Sequence, residues 1–73
     1  MSVARVIEIS ATSETSLEDA IQQGISRATK TLRNVSGAWI KDQQVKINDG
    51  QIVGYQVNLQ VTFVLDDGSD VGQ

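Results

Sequence analysis

The sequence predicts a single α+β domain with the order β-α-β-β, in which a three-stranded antiparallel sheet packs on one helix. Three observations support this fold class: a short β-branched segment near the N-terminus, apolar residues at helical spacing in the middle of the chain, and a long alternating run towards the C-terminus. A chain of 73 residues is enough for one domain. We assign that domain to residues 1–67 and expect residues 68–73 to form a flexible acidic tail.

The first strand is predicted over residues 4–10, which contain Val6, Ile7 and Ile9. The following segment, residues 11–16, is polar and rich in small hydroxyl side chains, which favours a loop that ends in a helix cap. The sequence therefore predicts a strand followed, after one short loop, by a helix.

The helix is predicted over residues 16–33, where apolar residues recur at steps of three and four and so share one face. These residues are Leu17, Ala20, Ile21, Gly24, Ile25, Ala28 and Leu32. Thr15 with Glu18 fits a capping box at the N-terminus, and Ser16 is the competing N-cap. Gly24 disfavours a helix by up to about 1 kcal/mol relative to alanine, so its place on the apolar face predicts close approach of the helix to the sheet.

The C-terminal part of the chain is predicted to form a hairpin that turns at Asp49-Gly50, because Asp-Gly between two extended runs is a strong hairpin signal. The last strand alternates between apolar and polar residues from Val53 to Leu65, which predicts one buried and one open face. If the turn has two residues, Asn48 pairs with Gln51, and each residue before Asn48 pairs with the corresponding residue after Gln51. A bulged three-residue turn would shift the pairing by one residue and change which residues share a face of the sheet.

That register decides which side chains share a face of the sheet. The pairs expected on the helix-covered face are Ile40 with Leu59 and Ala38 with Val61. The second face would hold Trp39, Lys41, Gln43, Gln56, Asn58, Gln60 and Thr62, with Trp39 opposite Gln60 and Gln43 opposite Gln56. This second face is polar except for the only tryptophan of the chain.

The tryptophan on this polar face is the candidate binding residue. A tryptophan ring stacks well on flat conjugated ligands, and amide side chains nearby can donate to and accept from the edge of a heterocycle. The alternative is that Trp39 packs in the core or between subunits. Self-association is expected on separate grounds, because a domain this small has no cysteines to stabilise it and would expose an apolar patch. The patch consists of Val45, Ile47, Ile52 and Val64.

Composition excludes several classes of function. The chain contains no cysteine and no histidine, which removes thiolate chemistry, zinc sites built on these residues and serine–histidine catalysis. The net charge is −3 and the six basic residues are scattered, so nucleic acid is not an expected partner. No apolar run approaches the roughly 20 residues of a membrane span, and no secretion signal is visible. We therefore expect a cytoplasmic protein without membrane contact, enzymatic activity or a metal site.

The order of the elements, together with two segments, resembles the dodecin family. The segments are the loop Ala11-Thr12-Ser13 and the terminal run that begins with Tyr55-Gln56-Val57, and the similarity covers about residues 3–67. Dodecins are small flavin-binding proteins that assemble as hollow homododecamers. The resemblance implies that FMN or riboflavin stacks on tryptophan at two-fold axes, and that Gln56 is the family glutamine that binds the pyrimidine end of the ring.

The resemblance also implies that the tryptophan is displaced. Flavin-binding dodecins place it at the start of the second strand, where this sequence has Gly37, whereas Trp39 takes the position of an acidic residue. A shift of two residues keeps the side chain on the same sheet face and moves it about 7 Å along the strand. The predicted flavin-binding residues are Gly37, Trp39, Lys41, Gln43 and Gln56.

Two functions follow as hypotheses. The first is a homododecameric shell that sequesters and stores flavin by aromatic stacking. The second is a flavin-free assembly protein of the same fold that binds another small ligand or a cation. Flavin bound to the purified protein would separate the two.

Overall fold

A computed structural model describes residues 3–65 and confirms the predicted β-α-β-β order. The elements are β1 (Ala4–Ser13), α1 (Leu17–Thr31), β2 (Val35–Asn48) and β3 (Gln51–Val64). The strands form one antiparallel sheet in the order β1-β3-β2, so the last strand lies in the centre. The predicted tail at 68–73, and with it the domain boundary at 67, lies outside the described residues.

The first strand is longer than predicted. It continues through residues 11–13, which the sequence assigned to a loop, because β3 offers backbone partners as far as the pair Ser13 and Tyr55. Local composition favoured a loop, and pairing with a strand more than forty residues away along the chain overrides it.

The helix begins one residue later and ends two residues earlier than predicted. Ser16 is the N-cap, and its Oγ accepts a hydrogen bond from the Asp19 backbone N–H at 2.9 Å. The capping box starting at Thr15 is therefore wrong, and the competing cap is the correct one. The helix ends at Thr31, where the N–H of the C-cap Leu32 donates to the Ala28 carbonyl at 2.9 Å. Asn34, with φ of 63°, then turns the chain into β2.

The hydrophobic core lies between α1 and the β1–β3 half of the sheet. The fully or nearly buried apolar side chains are Ala20, Ala28, Val57, Leu59 and Val61. Gly24 is buried among them, and a Cβ added there would lie 3.1 Å from both Ala11 Cβ and Leu59 Cδ1. This spacing is tighter than most real Cβ contacts, so the predicted close approach of the helix at Gly24 is confirmed.

The hairpin turns as predicted through two residues, Asp49 and Gly50, whose φ values of 58° and 75° are both positive. Two positive values match the type I′ turn that fits the twist of antiparallel strands. The predicted pairs of Ala38 with Val61, Trp39 with Gln60 and Ile40 with Leu59 are all present.

The register shifts between Ile40 and Asp42, which leaves Lys41 in a bulge. A second shift nearer the turn restores the original register at Ile47. Between the two shifts, Gln43 faces Val57 and Gln44 faces Gln56, so the predicted pair of Gln43 with Gln56 is wrong. The Asp-Gly turn fixes the starting register, and the sequence pattern gives no sign of the bulge.

The helix covers β1 and β3 but leaves β2 open. Every residue of β2 except Val35 is exposed, including Ile40 at 54%, although Ile40 faces the buried Leu59. The expected exposure of Val45, Ile47 and Ile52 is confirmed, whereas Val64 is half-buried. The described residues are elongated, with extents of 57 × 19 × 13 Å, because the hairpin extends past the end of β1.

Candidate ligand-binding face

The sheet face opposite the helix, called the open face here, is built from alternate residues of all three strands. Four rows cross it, each with its β1, β3 and β2 member in that order. The rows are Val6–Thr62–Gly37, Glu8–Gln60–Trp39, Ser10–Asn58–Asp42 and Thr12–Gln56–Gln44. Polar and amide side chains therefore surround one tryptophan, as the sequence predicted.

Trp39 is the most exposed large apolar side chain among the described residues, with 69% of its surface accessible. It lies on β2 opposite Gln60, on the face that the helix does not cover. A core role for Trp39 within one protomer is excluded by this exposure. An exposed indole of this size presents a flat apolar surface for stacking.

Gly37 lies on the same face, opposite Thr62, two residues before Trp39. A Cβ added to Gly37 would meet no heavy atom within 4 Å. The position implied for the family tryptophan therefore has room for a Cβ in this protomer.

Lys41 reaches across the central strand. Its Nζ lies 3.2 Å from Glu8 Oε1, and both side chains are about half exposed. An exposed ion pair of this kind adds little stability. Its effect at the site is that opposite charges offset one another beside Trp39.

Gln56 and Asn58 are each held by a neighbouring strand. The Gln56 Nε2 donates to Ser10 Oγ at 2.9 Å, and the Asn58 Nδ2 donates to Asp42 Oδ1 at 2.6 Å. A shallow cavity of about 330 Å³ lies at these amides. Its lining residues are Asp42, Gln43, Gln44, Gln56 and Asn58.

The structure brings together only part of the predicted site. Gly37, Trp39 and Lys41 lie at one end of the open face, and Gln56 lies four residues along β3 from the Trp39 row, about 13 Å away. Gln43 borders the cavity beside Gln56, although its register partner is the buried Val57.

Sequence reasoning missed six residues of this face. They are Val6, Glu8, Ser10, Thr12, Asp42 and Gln44. Alternation along β1 could have found Glu8 and Ser10, because they flank Ile9, which points to the core. The places of Asp42 and Gln44 depend on the bulge at Lys41 and could not be read from alternation.

A second cavity, of about 530 Å³, lies on the helix side of the sheet between α1 and the outer edge of β1. Ile7, Ile9, Ala28 and Leu32 give it an apolar wall. It is larger than the depression on the open face, but neither Trp39 nor Gln56 borders it. We call it the helix–β1 cleft.

Two further observations concern only residues 3–65. Within this range, no group of three His, Cys, Asp or Glu side chains is arranged to hold a metal ion. The single helix of this range is also too short and too polar to cross a membrane.

Comparisons with known proteins agree with this geometry. The dodecin family model matches residues 3–66. The dodecin of Thermus thermophilus is 38% identical over 65 residues, covering 89% of this chain and 94% of that protein. The calcium dodecin of Mycobacterium tuberculosis is 32% identical over 63 residues, covering 86% and 89% of the two chains. A solved dodecin from Streptomyces davaonensis superposes with a TM-score of 0.84 at 38% identity, covering 90% of this chain and 97% of that one.

Fold and open face define a class of small β-α-β-β proteins whose single helix covers one side of a three-stranded sheet and whose other side presents polar groups around an aromatic ring. The matches cover nearly all of the described residues and nearly all of each relative. The chain belongs to the dodecin family.

Proposed function

We propose that this protein is a cytoplasmic, non-enzymatic flavin-binding protein that sequesters and stores riboflavin or FMN. The observation that carries the proposal is the 69% exposure of Trp39 on a sheet face that otherwise carries mainly amide, hydroxyl and charged side chains, with Val6 as a smaller exposed apolar residue. Leaving a large ring in water is unfavourable unless a partner covers it. The membership of the chain in the dodecin family makes flavin the leading candidate for that partner.

The residues present fit a flavin in chemical type. The indole of Trp39 supplies the stacking surface, and the open space at Gly37 leaves room for a ring that extends beyond it. Gln56 supplies an amide that can pair with the imide edge of the flavin. Because Trp39 and Gln56 lie about 13 Å apart along one protomer, a bound flavin would take the two contacts from the ends of its long ring system or from two protomers.

We further propose that the protein acts as a hollow homododecamer, as the family resemblance implies. Two surfaces support self-association. The hairpin beyond the end of β1, residues 46–54 and called the hairpin arm here, exposes Ile47 at 65% and Ile52 at 54%. The apolar helix–β1 cleft lies next to the unpaired outer edge of β1. Covering both surfaces by other copies would remove exposed apolar area and an open strand edge.

The direct test is titration of the purified protein with riboflavin and with FMN, followed by tryptophan fluorescence. Trp39 is the only tryptophan in the sequence, so quenching reports on one site. We expect saturable quenching together with loss of flavin fluorescence, because the two rings stack. Linear, non-saturating quenching with both flavins would refute the proposal.

A second candidate function is cation binding without flavin. It is favoured by the relative from Mycobacterium tuberculosis, which is named calcium dodecin. Against it, no group of acidic side chains suited to a metal is present within residues 3–65. Calorimetric titration of chelator-treated protein with Ca²⁺ separates the two candidate functions. Cation binding without flavin requires heat of binding with Ca²⁺ and no response to flavin.

A further inference from the structure

We infer that Ser10 is a positioning residue that fixes the side-chain amide of Gln56 for an imide-type ligand edge. This inference rests on the proposed function, since it concerns how the open face recognises a flavin. Ser10 lies on β1, and its Oγ accepts a hydrogen bond from Gln56 Nε2 at 2.9 Å. Ser10 pairs with Asn58 and Gln56 pairs with Thr12, so the contact between Ser10 and Gln56 runs diagonally between neighbouring strands.

The hydrogen bond occupies one end of the amide, and in the structure that end is Nε2. A glutamine amide has two N–H donors on Nε2 and one carbonyl acceptor. With Nε2 directed at Ser10, the Oε1 atom lies on the opposite side of the amide group and serves as the acceptor towards a ligand. The remaining Nε2 hydrogen can donate beside it.

An acceptor next to a donor is complementary to a particular chemical group. In a flavin, the pyrimidine ring carries an imide N–H between two carbonyl groups. Gln56 Oε1 can accept from that N–H while Nε2 donates to an adjacent carbonyl. The same amide in the reversed orientation would still offer one donor and one acceptor, but in the wrong order for a ring held in one stacked pose.

Ordering the side chain in advance also improves affinity. A free glutamine loses rotamer freedom when it binds, and a side chain already held by a neighbour loses less. In this inference Ser10 acts on the ligand through Gln56. A serine-to-alanine change at position 10 removes one hydrogen bond and leaves the stacking surface of Trp39 in place.

The test compares riboflavin with 3-methylriboflavin, which lacks the imide N–H, on the full protein and four variants. We expect Ser10→Ala to weaken riboflavin binding about three- to ten-fold. We also expect its preference for riboflavin over the methylated probe to fall towards that of Gln56→Ala. Ser10→Thr retains a hydroxyl and should restore both quantities. The matched control is Ser26→Ala, on the exposed face of α1, which should behave like the unchanged protein.

The outcomes distinguish a failure of the inference about Ser10 from a failure of the proposed function. If the unchanged protein binds riboflavin and Ser10→Ala matches it in both affinity and preference, Ser10 has no positioning role and the proposed function stands. If the unchanged protein binds neither probe, the proposed function fails, and the role of Ser10 in flavin recognition fails with it. A loss of affinity in Ser10→Ala with unchanged preference would also overturn the inference, because a merely structural role predicts that result.

Discussion

Trp39 is widely exposed on the open face, and its contribution can be measured by truncation. In Trp39→Ala the stacking surface is lost, so we expect flavin binding to fall below detection when flavin fluorescence is followed directly. Trp39→Phe keeps a smaller ring and should retain weakened binding. If the alanine variant instead binds as tightly as the original protein, stacking on Trp39 is not the mode of recognition.

The empty position at Gly37 allows the opposite experiment. A Cβ added there meets no heavy atom within 4 Å, so we expect Gly37→Trp to fold while placing an indole where the family resemblance implies one. We expect flavin affinity to rise at least ten-fold, because a second ring adds contact area on the same face. Gly37→Ala, which adds no ring, is the control. An unchanged affinity in the tryptophan variant would mean that Trp39 already occupies the stacking position.

Individual residues also show how much of the candidate site could be predicted from the sequence. The alternation of β3 and the two-residue turn at Asp49-Gly50 were sufficient to place Trp39 on the polar face opposite Gln60. The bulge at Lys41 broke the same argument a few residues later and moved Gln44, instead of Gln43, opposite Gln56. A bulge is set by backbone hydrogen bonding between strands, and a hydrophobic pattern carries no record of it.

At the scale of elements, the start of α1 depends on one side chain. Ser16 Oγ accepts from the Asp19 N–H, so Ser16→Ala should lower the free energy of unfolding by about 1 kcal/mol. Thr15→Ala is the matched control, because the capping box that the sequence favoured at Thr15 does not form. Denaturant unfolding of both variants checks this expectation. Equal losses in the two would show that the cap is shared.

The contact between helix and sheet depends on Gly24. The Cβ of an alanine would lie 3.1 Å from Ala11 Cβ, and the methyl group of Ala11 cannot move without its strand. Overpacking typically costs about 1–3 kcal/mol, and alanine regains up to about 1 kcal/mol of helix propensity. We therefore expect Gly24→Ala to destabilise the protein by about 1 kcal/mol in thermal or denaturant unfolding. Ser26→Ala, at an exposed helical position, should not destabilise it, and a stabilised Gly24→Ala would contradict the close contact.

The elements were easier to predict than their ends. Periodicity identified the helix and the last strand, because burial of one face imposes a period of 3.6 or 2 on the sequence. A β-branched run identified the first strand, and the Asp-Gly turn identified the second. β1 extends to Ser13 and β2 begins at Val35 because both segments form hydrogen bonds with β3. Their partner residues on β3 are distant in the sequence. Contacts of that kind leave no local pattern.

At the scale of the whole molecule, the hairpin arm and the helix–β1 cleft lead us to expect a particle larger than one chain. Twelve chains of 7.9 kDa would give about 95 kDa in sedimentation at micromolar concentration. Replacing Ile47 and Ile52 together by lysine should shift the protein to smaller species, because charge replaces the exposed apolar side chains of the arm. Lys46→Ala is the control on the same arm. Sedimentation of the unchanged protein near 8 kDa would refute self-association.

The place of β3 in the centre of the sheet has a consequence for protein synthesis. Both outer strands pair only with β3, and β3 leaves the ribosome after both of them. While translation proceeds, β1 and β2 therefore have no partner strand within their own chain, and α1 has only β1 to pack against. We expect native structure to form only after β3 has emerged, in one late step that joins Ala4 to Val64 across nearly the whole domain.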